Sequence, residues 1–190
     1  MPRGEVTRAE LMRVGRELFT ARGYSGVGTE EIVRAASVTR GALYHHFEDK
    51  RDLFRAVHEE VEAGLVESIA RRIGQVEDPW ELLVTGARIF LDECADPAFM
   101  QIALLDAPSV LGWREWREID ARYGMGLVVA SLENAMAAGV LRRQEVRPLA
   151  HLVLAALGEA AFLIANSTDA DAARREVEPP LIALLEGLRA

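Results

Sequence analysis

The run Thr39-Arg40-Gly41-Ala42-Leu43-Tyr44-His45-His46-Phe47 gathers residue types that suit one task, entry of a helix into a DNA major groove. Such a helix must turn small or polar side chains outward and hold itself in place with apolar ones. Leu43 and Phe47 stand four apart and share a helical face, while Thr39, Arg40, Ala42, Tyr44 and His45 fall elsewhere, with His46 at their border. Gly41 has no side chain to keep a backbone away from DNA.

Other chemistries find less support. Gly23, Gly26 and Gly28 read G-x-x-G-x-G, the reverse of the dinucleotide fingerprint, and no strand precedes them, so a phosphate-cradling loop is not expected. His58-Glu59-Glu60-Val61-Glu62 imitates a zinc-protease helix but has Glu62 where the second histidine belongs, and reads as the acidic, solvated side of its helix. Neighbours such as His45 and His46 do not face each other on a helix, which excludes them as a metal pair. Cys94, the single cysteine, excludes an internal disulfide. Paired with a distant histidine it could serve as a nucleophile, but it lies on the apolar face of its helix, where a buried inert thiol is the default. Neither metal nor cofactor is expected, and a small-molecule enzyme is the weaker alternative.

The elements that must position the Thr39–Phe47 run are helical. A first helix is predicted over Thr7–Arg22, with Thr7 and Glu10 as a capping box, Leu11, Val14, Leu18 and Phe19 as its apolar face, and Gly23 as its C-cap. Thr29 caps a short second helix, Glu30–Ala36, with Ile32 and Ala36 inward; Ser37–Val38 forms the turn, and Thr39 caps the third helix. A long fourth helix begins near Lys50, and Leu53, Val57, Val61, Leu65 and Ile69 carry its stripe to about Ile73. Asp78-Pro79 opens a fifth helix with Leu83, Ala87, Phe90 and Cys94 inward. A sixth runs from Asp96-Pro97 to near Ala107-Pro108, a loop covers Ser109–Gly112, and a seventh spans Trp113–Ala138 with Gly139 as C-cap. Leu149–Ala165, apolar nearly all round, forms the eighth, and Leu181–Leu188 the last. The fold class is therefore all-α, with about nine helices: a three-helix helix-turn-helix domain over residues 1–52 and a helical body over 53–190 for ligand binding and dimerisation.

The net charge of −8 seems wrong for a partner of DNA, but its distribution is uneven. Up to Arg55 there are ten basic and eight acidic residues; beyond it there are twelve and twenty-two. A mildly basic head on an acidic body fits a chain of which only the head meets phosphate. Half of the 190 residues are apolar, which argues against disorder. No export signal is read at the N-terminus, and the eighth helix, interrupted by His151, Gly158 and Glu159, reads as a buried core helix and not a membrane span. A cytoplasmic location is expected.

The stretch from Thr29 to Phe47, followed by Lys50, Leu53 and Phe54 and preceded by Leu18-Phe19 and Gly23-Tyr24, resembles the tetracycline-repressor (TetR) family of transcriptional regulators. One residue departs from that pattern: Ser37 occupies a turn position where the family usually has glycine. The resemblance implies that Thr29 contacts phosphate, that Tyr44 and His45 pack on the sugar-phosphate backbone, and that Lys50, the only lysine, pairs with a phosphate. It also implies that Thr39, Arg40 and Ala42 face base edges, with Arg40 suited to a bidentate guanine contact. The implied partners are a palindromic double-stranded operator, a second copy of the chain and a small-molecule effector that releases a repressor from DNA. A DNA-binding dimeric scaffold without a ligand is the alternative.

For the body, two surfaces are expected. Leu149, Leu152, Val153, Ala156, Ala160 and Leu163 on the eighth helix, with Leu181, Leu184, Leu185 and Leu188 on the last, would form a four-helix bundle across a dimer axis. Trp80, Phe90, Met100, Trp113, Trp116, Tyr123 and Phe162, with Cys94, are candidates to line a largely apolar effector pocket, and ordinary core packing of the aromatics is the alternative. His151, Glu159 and Asn166 are the polar points that such a pocket would use. The alternation of Trp113 to Glu118 suits either a lid or a dimer contact.

Overall fold

The computed structural model describes residues 3–190, with side chains from Val6 onward. The described residues form helices α1 (Arg3–Arg22), α2 (Thr29–Ala35), α3 (Arg40–His46), α4 (Lys50–Ile73) and α5 (Pro79–Glu93). A π-helical stretch, Phe99–Asp106, then runs into α6 (Ala107–Val110), followed by α7 (Trp113–Ala137), α8 (Val146–Ala165) and α9 (Ala170–Glu186). An isolated bridge between Leu141 and Arg189 is the one β-type pairing among them. The all-α class and the helix-turn-helix at the N-terminus match the sequence reading.

The chain packs as two compact units. One runs up to Val61 and takes in Pro97–Trp116; the other comprises Glu62–Asp96 and Arg117–Ala190. The division thus falls within α4, further along than the 52/53 boundary, because Leu53, Phe54 and Val57 are wholly buried in the first unit.

In the first unit Leu11, Phe19, Ile32, Leu43 and Phe47 are buried with those α4 residues. The Phe54 ring meets Phe19 edge-on at 5.3 Å and Tyr24 at 5.1 Å. Gly23, at φ 69°, ends α1 as expected. The Thr7–Glu10 box does not form. The helix begins at Arg3, so Thr7 is interior, and Glu10 instead holds Arg13 at 2.6 Å. α2 is capped by the Gly28 backbone and not by the Thr29 hydroxyl; Thr29 is its first helical residue.

Ser37 sits at φ 54°, the left-handed conformation that favours glycine. The turn after α2 keeps its shape against that preference, fixed by Val38 N–H donating to Val33 O at 3.0 Å. Ser37→Gly is expected to raise stability by about 1 kcal/mol in urea denaturation. An unchanged midpoint would show that the turn carries no strain.

The sixth helix is not a single α-helix. Phe99–Asp106 is wound with π spacing, where each N–H reaches the carbonyl five residues back. Pro108 has no N–H to give to Ala103 O, and the Trp116 indole N–H supplies that bond at 3.0 Å. The chain therefore passes through Ala107-Pro108 into α6, and the loop expected over Ser109–Gly112 shrinks.

In the second unit α5, α8 and α9 pack against one another, and Leu83, Leu132, Leu141 and Leu149 lie in its core. Asp78 caps α5, accepting from Trp80 and Glu81 N–H at 2.9 Å. α9 begins eleven residues before the predicted Leu181 and runs through Pro179-Pro180. Each proline removes a backbone donor, and ion pairs beside them hold the first half of the helix. Arg174 bonds Asp92 of α5 at 2.9 Å and pairs with Glu178, which also accepts from Arg88 at 2.7 Å. α8 starts at Val146, and by length and composition alone it is apolar enough to cross a bilayer. It packs instead on α5 and α9.

Candidate functional site

The recognition segment is built as its side chains require. Thr39, extended at φ −80° and ψ 156°, accepts from Ala42 N–H through Oγ1 at 3.1 Å and starts α3. Leu43 and Phe47 are buried and fasten the helix inward. Thr39, Arg40, Gly41, Tyr44 and His45 are exposed, with Ala42 and His46 half-buried. The Arg40 guanidinium lies over the Tyr44 ring, 5.5 Å from its centroid, and 4.0 Å from Glu30. Exposed contacts of this kind contribute little to stability, so Arg40 is held loosely and can leave. A Cβ placed on Gly41 would meet only Thr39 Oγ1, at 3.8 Å. Packing within the protein does not demand a glycine there; the empty space lies outside.

The flanking residues are placed less simply. Thr29 is half-buried at the start of α2. Lys50 has partners within the chain. Its Nζ donates to Tyr24 O at 3.0 Å and Val27 O at 2.9 Å, and lies 3.8 Å from the Tyr24 ring centroid. Burial holds its pKa below the usual lysine value, opposed by the charge of Asp106. The ammonium has three N–H groups, so two fasten the loop between α1 and α2, and one remains.

The same loop is held from a distant part of the sequence. Tyr24 N–H donates to Asp106 Oδ2 at 2.7 Å. A Cβ on Gly23 would come within 3.2 Å of Gln101 Nε2 and 3.4 Å of Asp106 Oδ2, so glycine serves this close approach as well as the turn. Arg51 in α4 donates to Val110 O and Leu111 O at 3.1 and 3.0 Å and pairs with Glu115 at 2.6 Å. Residues 99–116 are thereby bonded to the α1–α2 loop and the start of α4. Sequence periodicity carries no trace of this, because each partner is an isolated polar residue in a loop or helix end.

Within the second unit a cavity of about 270 Å³ lies between α4, α5, α7, α8 and α9. Its walls are chiefly leucine, valine and isoleucine, and its ionisable lining residues are Glu62 and Asp120. Of the residues named as pocket candidates, Phe90 lines it. Trp116 is buried in the first unit, and Trp113 there is 65% exposed; Met100 also belongs to that unit. Trp80 packs on the core of the second unit beneath the Arg189 guanidinium. Cys94 is wholly buried, and burial raises its thiol pKa above the ordinary range, as for an inert thiol. Tyr123 and Phe162 are half-buried, while His151, Glu159 and Asn166 are exposed. The Asn166 amide donates to Phe162 O.

His58 and Glu62 correct the sequence reading most sharply. Neither belongs to a solvated side of α4: His58 is fully buried and Glu62 is 5% exposed. Burial, aided by the nearby Asp120, pushes the Glu62 carboxyl up to about 8, and burial lowers His58 to about 4. Asp120, raised by burial, is bonded to Arg117 at 2.8 Å. Spacing could have found Glu62, which stands three, four and seven residues before Leu65, Val66 and Ile69 and so shares their face.

The residues expected at a dimer face divide into three sets. Leu152, Leu163 and Leu184 are 68%, 54% and 64% exposed. Leu149, Ala160, Leu181 and Leu185 are buried within the chain itself, and Val153, Ala156 and Leu188 are half-buried.

Comparison with known proteins agrees with this architecture. Residues 11–57 match the model of bacterial regulatory proteins of the tetR family, and residues 80–188 match the tetracyclin repressor-like C-terminal domain. A TetR-family transcriptional regulator from Pectobacterium atrosepticum has a crystal structure that superposes with a TM-score of 0.88 at 34% identity, covering 98% of this chain and 96% of that one. The transposon Tn10 TetC protein of Escherichia coli is 26% identical over 147 residues, 77% of this chain and 74% of its own. The transcriptional repressor AcnR of Corynebacterium glutamicum is 30% identical over 113 residues, 55% and 60% of the two chains. The exposed face of α3 over a buried Leu43–Phe47 anchor, and the helical body that follows, are those of a DNA-binding transcriptional regulator, and the chain belongs to the TetR family.

Proposed function

We propose that this regulator binds a palindromic operator as a homodimer and leaves it when a small molecule occupies the cavity of the second unit. The observation that carries the DNA reading is α3 itself, whose Arg40, Gly41, Tyr44 and His45 are left exposed while Leu43 and Phe47 are buried. In this reading Thr39, Arg40 and Ala42 meet base edges, and Thr29, Tyr44, His45 and the remaining N–H of Lys50 meet the sugar-phosphate backbone. Two heads would address half-sites roughly 34–36 Å apart. Leu152, Leu163 and Leu184 supply exposed apolar surface that a second copy would cover. Work on chromosomal operators implies a cytoplasmic location.

The cavity favours an effector over a scaffold without a ligand. α4 supplies the means of coupling, since one unbroken helix carries Leu53, Phe54 and Val57 in the head interior and Glu62, Leu65, Ile69 and Ile73 along the cavity wall. A ligand that prefers one position of α4 shifts the population of head spacings by its differential affinity.

Selection of bound duplexes from random DNA tests the reading. Wild-type protein is expected to enrich a palindrome. Arg40→Ala should relax preference at one position per half-site, at a cost of about 1–3 kcal/mol. Absence of any enrichment by the wild-type protein refutes operator binding.

A further inference from the structure

We propose that Glu30 of α2 is a specificity-determining residue of the DNA-reading face, acting with Arg40 of α3 as a carboxylate–guanidinium pair that selects a G·C base pair. The proposal rests on the reading of α3 as the recognition helix and of Arg40 as its base reader, and adds to it a residue of the neighbouring helix.

The residues that follow Thr29 in α2 point to three different places. Ile32 is wholly buried and fastens the helix inward. Glu31 pairs with Arg22 of α1. Glu30, two residues before Ile32, falls on the opposite side of the helix. Its Oε1 lies 4.0 Å from Arg40 Nη1, and 85% of its side chain is exposed. The Arg40 guanidinium is thus flanked by the Tyr44 ring of its own helix, 5.5 Å away, and by a carboxylate of the preceding one. The approach puts Glu30 on the same face as the outward residues of α3.

A carboxylate on a surface that must meet phosphates works against binding, because affinity for DNA draws on positive charge. As an exposed ion pair it also adds little to the stability of the fold. Its place beside Arg40 has a use in the groove. Guanine offers O6 and N7 to a guanidinium, and the cytosine paired with it presents an N4 amino group that a carboxylate accepts. A guanidinium has five N–H groups, enough to bond the guanine edge and keep a bond to Glu30, and a carboxylate has room for that bond and for the cytosine amino group as well. Where thymine replaces the cytosine, its O4 is an acceptor and the carboxylate is repelled. The pair lowers affinity for DNA at large and lowers it least where Arg40 stands on G·C, which is discrimination by a repulsive element. Water leaves the interface as the surfaces meet, so a pair worth little in the free protein gains strength there.

Glu30→Gln keeps the shape of the side chain and removes its charge. Two duplexes serve as probes, the palindrome enriched by the wild-type protein and a scrambled duplex of equal length, each titrated with the full-length protein by fluorescence anisotropy at one fixed salt concentration. The variant is expected to bind the scrambled duplex more tightly than the wild type does, and its ratio of operator to scrambled affinity should fall about tenfold. Selection from random DNA with the variant should show relaxed preference at the position that Arg40→Ala also relaxes. An unchanged ratio, or relaxation at other positions alone, overturns the proposal and leaves Glu30 a repelling charge. Weaker binding to both duplexes in equal proportion overturns it as well, since that is the mark of a residue that only props the fold. The reading beneath the proposal fails separately: it is lost if the wild type enriches no palindrome, whereas a palindrome whose ratio Glu30→Gln leaves unchanged refutes the proposal alone.

Discussion

Phe54→Ala is expected to cost about 3–5 kcal/mol, the range for removing a wholly buried phenylalanine, and to abolish operator binding well below the temperature at which the remaining helices melt. Phe54 is fully buried, and its ring makes edge contacts with Phe19 of α1 and Tyr24 of the following loop. Tyr24 is tied at several points: its carbonyl accepts from Lys50, its N–H donates to Asp106, and its ring lies under the Lys50 ammonium. Loss of the Phe54 ring would leave a cavity beneath that cluster. The loop leads directly into α2 and hence to the turn that sets α3, so the damage reaches the DNA-reading face although Phe54 is not exposed. Hydrogen exchange gives the check: amides of α2 and α3 should exchange much faster in the variant, while those of α8 and α9 change less. Equal acceleration throughout would show that the first unit has no stability of its own to lose.

What the sequence revealed follows from the range of the forces involved. The α4 stripe from Leu53 to Ile73 was legible because burial on one face imposes a period that a single strand of text preserves. Thr39, Asp78 and Gly23 were legible because caps are local, each acting within four residues. The first half of α9 was not, because Pro179-Pro180 signals a break and the compensation comes from Arg88 and Asp92, 90 and 82 residues before their partners. The π-helical turn was hidden for a similar reason. Its orphan carbonyl at Ala103 is satisfied by the Trp116 indole, and a tryptophan in an alternating aromatic run suited a pocket lid or a dimer contact.

The candidate site divides along the same line. The outward set on α3 could be read because it is the complement of a local apolar face. The cavity could not, since an aromatic residue is equally at home in a core or a pocket wall, and of those singled out only Phe90 lines the space. Of the ionisable residues there, Glu62 was read with the solvated side of its helix, and Asp120 was not singled out in a body that carries twenty-two acidic residues beyond Arg55. Lys50 was expected to pair with a phosphate, while its bonds to Tyr24 O and Val27 O, made across the fold, are a structural duty that no spacing announces.

The stability of the protein should fall as pH rises from about 6.5 to about 8, and Glu62→Gln should remove most of that fall. The Glu62 pKa is raised in the folded chain to about 8 from an ordinary 4.5, by burial first and by Asp120 second. Over that window the unfolded chain has released the proton and the folded chain has kept it, so each added pH unit favours unfolding by about 1.4 kcal/mol for one group. Stability tied to this proton is fully present below the unfolded pKa and is lost as pH climbs through the folded one, a total of about 4–5 kcal/mol. His58 acts at the other end. Its pKa is lowered to about 4 by burial, so the folded chain loses stability as pH falls from about 6.5 towards that value. Between about 4.5 and 6.5 the two slopes oppose each other, so the wild type should melt at a nearly constant temperature there and lower above about 6.5. In Glu62→Gln the His58 slope is exposed, so the melting temperature should fall as pH drops below about 6.5, while the alkaline limb flattens to what Asp120, also raised by burial, still contributes. Thermal melts from pH 5 to 9 measure this directly. An alkaline limb of unchanged slope in the variant would mean that Glu62 is ionised in the folded protein, in which case the cavity holds a standing negative charge even when empty.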